Sequence, residues 1–244
     1  MTPGTLYLIP AAIGDLKGGD QAPLIQATIP PATLAILQGL SNFAVEDAKS
    51  ARAFLKAAGI RLPMQEVSIT EIGHAPRTED LKPLIEALRA GRDIGVLSES
   101  GCPAVADPGA QLVRMAHEAA LPVVPLVGPS SLLLALMASG LDGQRFAFSG
   151  YLPVKEPLRA KAIRDLEARS RAAKETQIAI ETPFRNQVLF EALTTVLMPA
   201  TRLALAIDLT LPSAANRMKS VAAWRREPAP LLARRQVVFL FLAA

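Results

Sequence analysis

Residues 94–111, IGVLSESGCPAVADPGAQ, decide the reading of this chain. Four apolar residues of strand type stop abruptly, and a loop of Ser, Glu, Gly, Pro and Asp follows. A buried parallel strand that ends in a ligand loop has this layout. The same grammar returns along the chain: residues 6–9 run into PAAIGDL, 123–127 into GPSS, 177–181 into TPFRN and 203–207 into DLT. Strand candidates at 6–9, 43–45, 66–69, 94–97, 123–126, 146–149, 177–180, 203–207 and 237–242 alternate with helix candidates at 31–39, 48–58, 79–90, 109–120, 130–139, 158–171, 184–196 and 213–225. That alternation predicts an α/β fold with parallel sheets. The GPSS turn at Gly128 divides the chain into halves of similar length. We therefore expect two α/β domains, residues 1–127 and 128–244, with a ligand cleft between them lined by strand-end loops.

The 244 residues are half hydrophobic and one-fifth charged, which supplies a sizeable, mainly aliphatic core. The lone cysteine, Cys102, has no internal disulfide partner, in keeping with a reducing cytoplasm. The opening MTPGTLYLIP has no basic region or small-residue cleavage site, so no export signal is expected. Residues 119–141 carry no charge and are long enough to raise the question of a membrane span. Pro122, Pro125, Gly128 and Pro129 break that stretch into a strand, a turn and a helix capped by Ser130 or Ser131, so no membrane association is expected. No Cys/His cluster has metal-ligand spacing, which argues against a zinc site.

Net charge is only +4, but it is unevenly placed. Residues 155–174 hold seven basic against three acidic side chains, and residues 217–235 hold six against one. Clustered Lys and Arg suit a phosphate-bearing partner. The plainer alternative is a solvated helix face.

Individual motifs narrow the chemistry. PAAIGDL after the first strand is not GxGxxG, so a conventional dinucleotide site is poorly supported. In the loop 98–109 small residues would let main-chain groups approach a ligand, whereas Cys102 has no placed base that would make it a nucleophile. Glu46 and Asp47 form an acidic pair where a strand gives way to a helix, which reads either as an ordinary dipole complement or as part of a site at the strand end. Thr182 and Pro183 read as the N-cap and first residue of a helix. Glu181, at the end of an apolar strand, requires a partner such as Arg185 or a ligand.

Taken in order, these segments resemble the tetrapyrrole methylase superfamily of S-adenosylmethionine-dependent methyltransferases, and within it the 16S ribosomal RNA 2'-O-ribose cytidine methyltransferase family. GTLYLIPAAIGDL is similar to that family's GTLY-x-x-PTPIGNL, VEDAKSAR to AEDTR, LSESGCPAVADPG to SDAGTP-x-x-x-DPG, PLVGPSS to PLPGP-x-x, GYLPVK to GFLP-x-K and IETPFR to YESPHR. The resemblance implies two α/β domains with S-adenosylmethionine in the cleft between them, usually a cytoplasmic homodimer, and RNA of the small ribosomal subunit as partner. By position, Ile13, Glu99, Ser100, Cys102, Val105, Ser130 and Ser131 line the cofactor.

Departures fall on the acceptor side. Glu99 replaces the Asp of SDAGTP and Cys102 its Thr, Lys49 replaces the Arg of AEDTR, and Ile180 and Phe184 replace the Tyr and His of YESPHR. RELTK becomes IDLTL, losing a basic residue at each end, and a closing Gly-Glu becomes Arg235-Gln236. The chain reads as a divergent branch. Asp15, Glu46, Glu99, Asp107, Glu181 and Asp208 are the available carboxylates, of which Glu181 and Glu99 are favoured as catalytic, with Lys49, Arg52, Lys155 and Arg185 holding phosphates. Alternatives are a methyltransferase of a small molecule such as a tetrapyrrole or of a protein residue, and a catalytically weak S-adenosylmethionine-binding protein.

Overall fold

LYLI, FAV and IGVL are apolar runs because both faces of the strands they form are covered. A computed structural model describes residues 2–14 and 21–244 of the chain, which falls into two units, Met1–Ser130 and Ser131–Ala244. In the first unit β1 (Leu6–Ile9), β2 (Asn42–Val45), β3 (Ser68–Glu71), β4 (Ile94–Leu97) and β5 (Val123–Pro125) form one parallel sheet in the order β3-β2-β4-β1-β5. Between them run α1 (Ala22–Thr28), α2 (Pro31–Gly39), α3 (Ala48–Ala57), α4 (Thr78–Arg89) and α5 (Ala110–Glu118). The chain leaves β1 toward β2 and leaves β4 toward β5, in opposite directions across neighbouring strands, the arrangement that opens a ligand crevice at the strands' carboxyl ends.

Most of these elements lie where the sequence places them, with two differences. Helix α1 is unexpected, since Pro23, Pro30 and Pro31 and the lack of a side-chain cap make the segment read as loop; it forms because Pro23 falls in the tolerated first turn and Ile25 is buried. Glu66 closes a 3-10 turn, Met64–Glu66, and does not start a strand. Asp47 is the N-cap of α3, accepting the Ser50 N–H at 2.7 Å, so the plain helix-start reading holds for it.

The second unit carries α6 (Ser131–Ser139), β6 (Phe146–Tyr151), α7 (Leu158–Ala173), β7 (Thr176–Ile180), α8 (Asn186–Val196), β8 (Arg202–Ile207), β9 (Ala215–Ser220), α9 (Val221–Trp224) and β10 (Val237–Leu242). Its sheet runs β6-β7-β10-β8-β9, and only the β6–β7 pair is parallel. The expectation of parallel sheets throughout is thus corrected here: β8 and β9 form a hairpin and β10 is inserted antiparallel between β7 and β8. β10, VVFLFL, is buried along its whole length as the central strand. The expected helix at 213–225 is mostly β9, with only Val221–Trp224 helical. As an edge strand β9 shows ANRMKS no continuous apolar face to bury, so the strand signal is missing from its sequence. Thr182 and Pro183 do not start α8 either. They form a tight turn, in which the Arg185 N–H meets the Thr182 carbonyl at 2.9 Å, and the helix begins at Asn186.

Four of the six basic residues in 217–235 have structural work, Arg235 among them through Asp208. Arg217 and Lys219 lie over the Trp224 ring, 5.0 and 5.5 Å from its centroid, and both pair with Glu227. Arg225 donates to the carbonyls of Thr194, Thr195 and Leu197 and so caps the end of α8. Among the described residues no helix is long and apolar enough to cross a membrane.

Candidate functional site

In the first unit the loops that leave β1, β4 and β5 are tied to one another. Ala11 after β1 and Gly101 after β4 exchange two main-chain hydrogen bonds, at 2.8 and 3.2 Å. The Cys102 thiol donates to the carbonyl of Pro129, in the loop after β5, at 3.5 Å. The hydroxyl of Thr33 on α2 holds the Val127 carbonyl at 2.7 Å. Gly128 lets the first and third loops meet, because a Cβ there would lie 2.4 Å from the Pro10 Cβ. Alanine at position 128 is expected to lower stability by about 1–3 kcal/mol through this overlap, read as a lower urea midpoint; an unchanged midpoint would mean the loops separate freely.

The loop after β4 is strained. Ala104 and Ala106 adopt φ of 67° and 63°, a conformation L side chains resist, and such strain gathers at ligand sites. This loop presents Glu99 and Val105 to solvent and leaves Ser100 and Cys102 half-buried. Ile13 is buried, Ser130 ends the first unit and Ser131 opens α6 in the second.

The parallel order β3-β2-β4 also brings acids from distant positions to one end of the sheet. Glu46 follows β2, Glu99 follows β4, and Asp107 lies in the same loop as Glu99. His74, beyond β3, pairs through Nδ1 with the buried Glu46 carboxylate, which also accepts the Glu99 main-chain N–H. Burial, aided by the charges of Glu46 and Glu99, pushes Asp107 up to about 6, against the opposing hydrogen bond from Ser98. Burial also raises Glu46. The Cys102 thiol is raised by burial and by Asp107, which keeps it protonated and makes it a poor nucleophile. Two neighbouring carboxylates that resist ionisation, Glu46 and Asp107, have a use for a cation, and small residues with main-chain groups suit a nucleoside beside them. The sequence names Glu46, Glu99 and Asp107 among the available carboxylates and favours Glu99, while His74 carries no signal that would place it beside Glu46. Lys49 and Arg52 stand exposed on α3 of the same unit, and Asp15 lies outside the described residues.

The second unit has its own strand-end cluster. Glu181 follows β7 with its side chain only 5% exposed, and its Oε1 accepts the Thr182 N–H at 2.7 Å and Arg185 Nη2 at 2.6 Å. Arg185 is therefore the partner that the Glu181 charge demands. Asp208, after β8, accepts Arg235 Nε at 2.8 Å, the Ser213 hydroxyl at 2.9 Å and the Gln236 N–H at 3.0 Å. Those bonds occupy both Asp208 oxygens, so Asp208 fixes the loop ahead of β10. Its own φ of 48° and that of Thr210, 71°, mark another strained loop. Lys155 is exposed after β6.

The sequence profile of a family described as Tetrapyrrole (Corrin/Porphyrin) Methylases matches residues 28–217. The chain belongs to the tetrapyrrole methylase family. It is similar to the Ribosomal RNA small subunit methyltransferase I of Escherichia coli O157:H7, 32% identical over 85% of this chain and 66% of that protein. The protein of that name from Xylella fastidiosa is 36% identical over 65% of this chain and 52% of its own length. The chain thus spans about half to two-thirds of those relatives' length. Among solved structures, diphthine synthase gives a TM-score of 0.64 at 14% identity over 98% of this chain and 90% of its own, and the methyltransferase CobJ 0.63 at 17% over 100% and 95%. Both share the two-domain α/β fold.

Proposed function

We propose that this protein is an S-adenosylmethionine-dependent methyltransferase acting on a ribose 2'-hydroxyl of small-subunit ribosomal RNA. What carries the reading is kinship across 85% of the chain with a small-subunit rRNA methyltransferase. The tied loops of the first unit support it. In this reading the main chain around Ala11, Gly101 and Ser130 holds the donor's nucleoside and amino-acid parts, with Ile13, Ser100, Cys102, Val105 and Ser131 beside it. Glu46, Glu99 and Asp107 face the positive charge. Bound there, S-adenosylmethionine supplies an electrophilic methyl group on a sulfonium centre. Glu181, through the Oε2 atom left by its bonds on Oε1, takes the proton of the acceptor hydroxyl, while Lys49, Arg52, Lys155 and Arg185 hold phosphates. A ribose hydroxyl is a weak nucleophile, so proton removal and placement are what the protein must contribute.

Radiolabelled methyl transfer to purified 30S particles tests this. Label in the 16S RNA is expected; no transfer by a protein that binds the donor would overturn the RNA assignment. A small-molecule acceptor is the second reading, favoured by Ile207 and Leu211 standing where related sequences carry basic residues. The two separate on salt, since affinity for RNA falls steeply as salt rises and affinity for a small acceptor does not. The same proposal includes a cytoplasmic homodimer, which light scattering on the purified protein examines.

Asp107 gives this site a pH signature. Below about 6 its carboxyl is protonated and neutral; above that value it adds a negative charge. Donor affinity is therefore expected to rise as pH passes upward through that value, and the demethylated product, which lacks the sulfonium charge, to show no such rise. Calorimetric titration across the range, with Asp107→Asn flattening the donor curve, is the check. A flat curve for the parent would separate Asp107 from the donor.

A further inference from the structure

Phe184 is 81% exposed, on the turn between β7 and α8. A ring so placed contributes nothing to either core. The turn that carries it is fastened to a distant loop: the Arg234 N–H donates to the Pro183 carbonyl at 3.0 Å, and the Asn186 amide donates to the Arg235 carbonyl at 2.6 Å. Those two bonds set Phe184 and Arg185 beside Arg234 and Arg235, some 50 residues away in sequence. Tyr151, at the end of β6, is 55% exposed, lies opposite Ile180 in the register and interacts electrostatically with Arg185. Two exposed rings and three guanidinium groups are thus gathered at one end of the second sheet.

The charges alone do not explain the group. Glu181 holds Arg185 and Asp208 holds Arg235, so net attraction for a polyanion is modest; among the described residues Arg234 has no acidic partner. What the pairing does is hold the Arg185 and Arg235 guanidinium groups in fixed positions at the strand end that also carries Phe184 and Tyr151. Rings interleaved with arginines suit a strand whose bases are open on their faces: bases stack on the rings while phosphates meet the cations. In a duplex those faces are covered.

We propose that this end of the second unit is a binding surface for unpaired RNA, with Phe184 and Tyr151 stacking on bases and Arg234, Arg185 and Arg235 engaging the backbone. The proposal rests on the RNA reading above and adds to it the surface used and the single-stranded form of the partner. An acidic protein segment would need the charges and not the rings.

The test is fluorescence anisotropy of the full chain with a short unstructured RNA, with the same RNA annealed to its complement, and with polyglutamate as competitor. Phe184→Ala is expected to weaken single-strand binding roughly tenfold and leave duplex binding unchanged, while Phe184→Trp retains it. Arg234→Ala is expected to reduce the slope of log affinity against log salt by about 0.7, the value of one phosphate contact on a single strand. Parent-like single-strand binding by Phe184→Ala overturns the proposal, as does polyglutamate competing as well as RNA. Methyl transfer to 30S particles, run in parallel, separates the two readings. A parent that methylates the particles, together with a Phe184→Ala protein that binds normally, discards the surface and keeps the function. Weakened binding without any transfer keeps the surface and discards the function. A parent that neither binds nor transfers overturns both.

Discussion

Glu181→Gln is expected to lose about a hundredfold in kcat, the scale of a general acid or base, with donor affinity unchanged. The substitution preserves shape and keeps an oxygen for the Thr182 N–H, which the carboxylate meets at 2.7 Å. It removes the negative charge that accepts a proton and that holds Arg185 at 2.6 Å. Donor binding is assigned to the loops of the first unit and to Ser131, none of which the substitution alters, so calorimetry with S-adenosylmethionine should give the parent's value. Steady-state kinetics on RNA then distinguish the roles of the carboxylate. A fall in kcat supports proton transfer; a rise in KM at constant kcat reassigns Glu181 to positioning Arg185; parent kinetics remove it from the mechanism.

Trp224→Ala should cost about 3–5 kcal/mol, at the upper end of core truncations. The side chain is 2% exposed and meets Phe190 edge-on at 5.4 Å between ring centroids. Its Nε1 donates to the Leu203 carbonyl on β8 at 2.9 Å, so one side chain joins α9, α8 and the sheet. Alanine removes the ring from a core that includes Ile163, Leu193 and Phe239 and leaves the carbonyl without its donor. Trp224→Phe, which keeps most of the apolar volume, should lose much less. Urea denaturation followed by circular dichroism measures both; an alanine variant as stable as the parent would show that this core closes without the indole.

Strands that are buried on both faces were legible from their residues: β1, β4 and β10 have the bounds that their apolar runs imply, because no polar residue fits between two covering layers. The edge was not. β9 spends its side chains on solvent and on one ring, so its residues alternate without an apolar row, and Ala-rich flanks suggested a helix. Among the candidate groups, Glu99 and Glu181 announced themselves as charges following apolar strands. The meeting of Glu46, His74 and Asp107 could not be read in the same way, since it follows from β2 lying between β3 and β4, and spatial strand order leaves no mark on local composition. The departure from parallel pairing in the second unit was hidden for a related reason: β10 is equally apolar whichever way it runs.

The outermost position of β9 has a further consequence. A terminal strand shows a row of main-chain donors and acceptors that any passing extended peptide could extend. Here that row is flanked by Arg217 and Lys219, held in place over Trp224. An incoming chain would have to seat its backbone beside three charged side chains, Arg217, Lys219 and Glu227, and strip them of water, a cost that opposes extending the sheet beyond its fifth member.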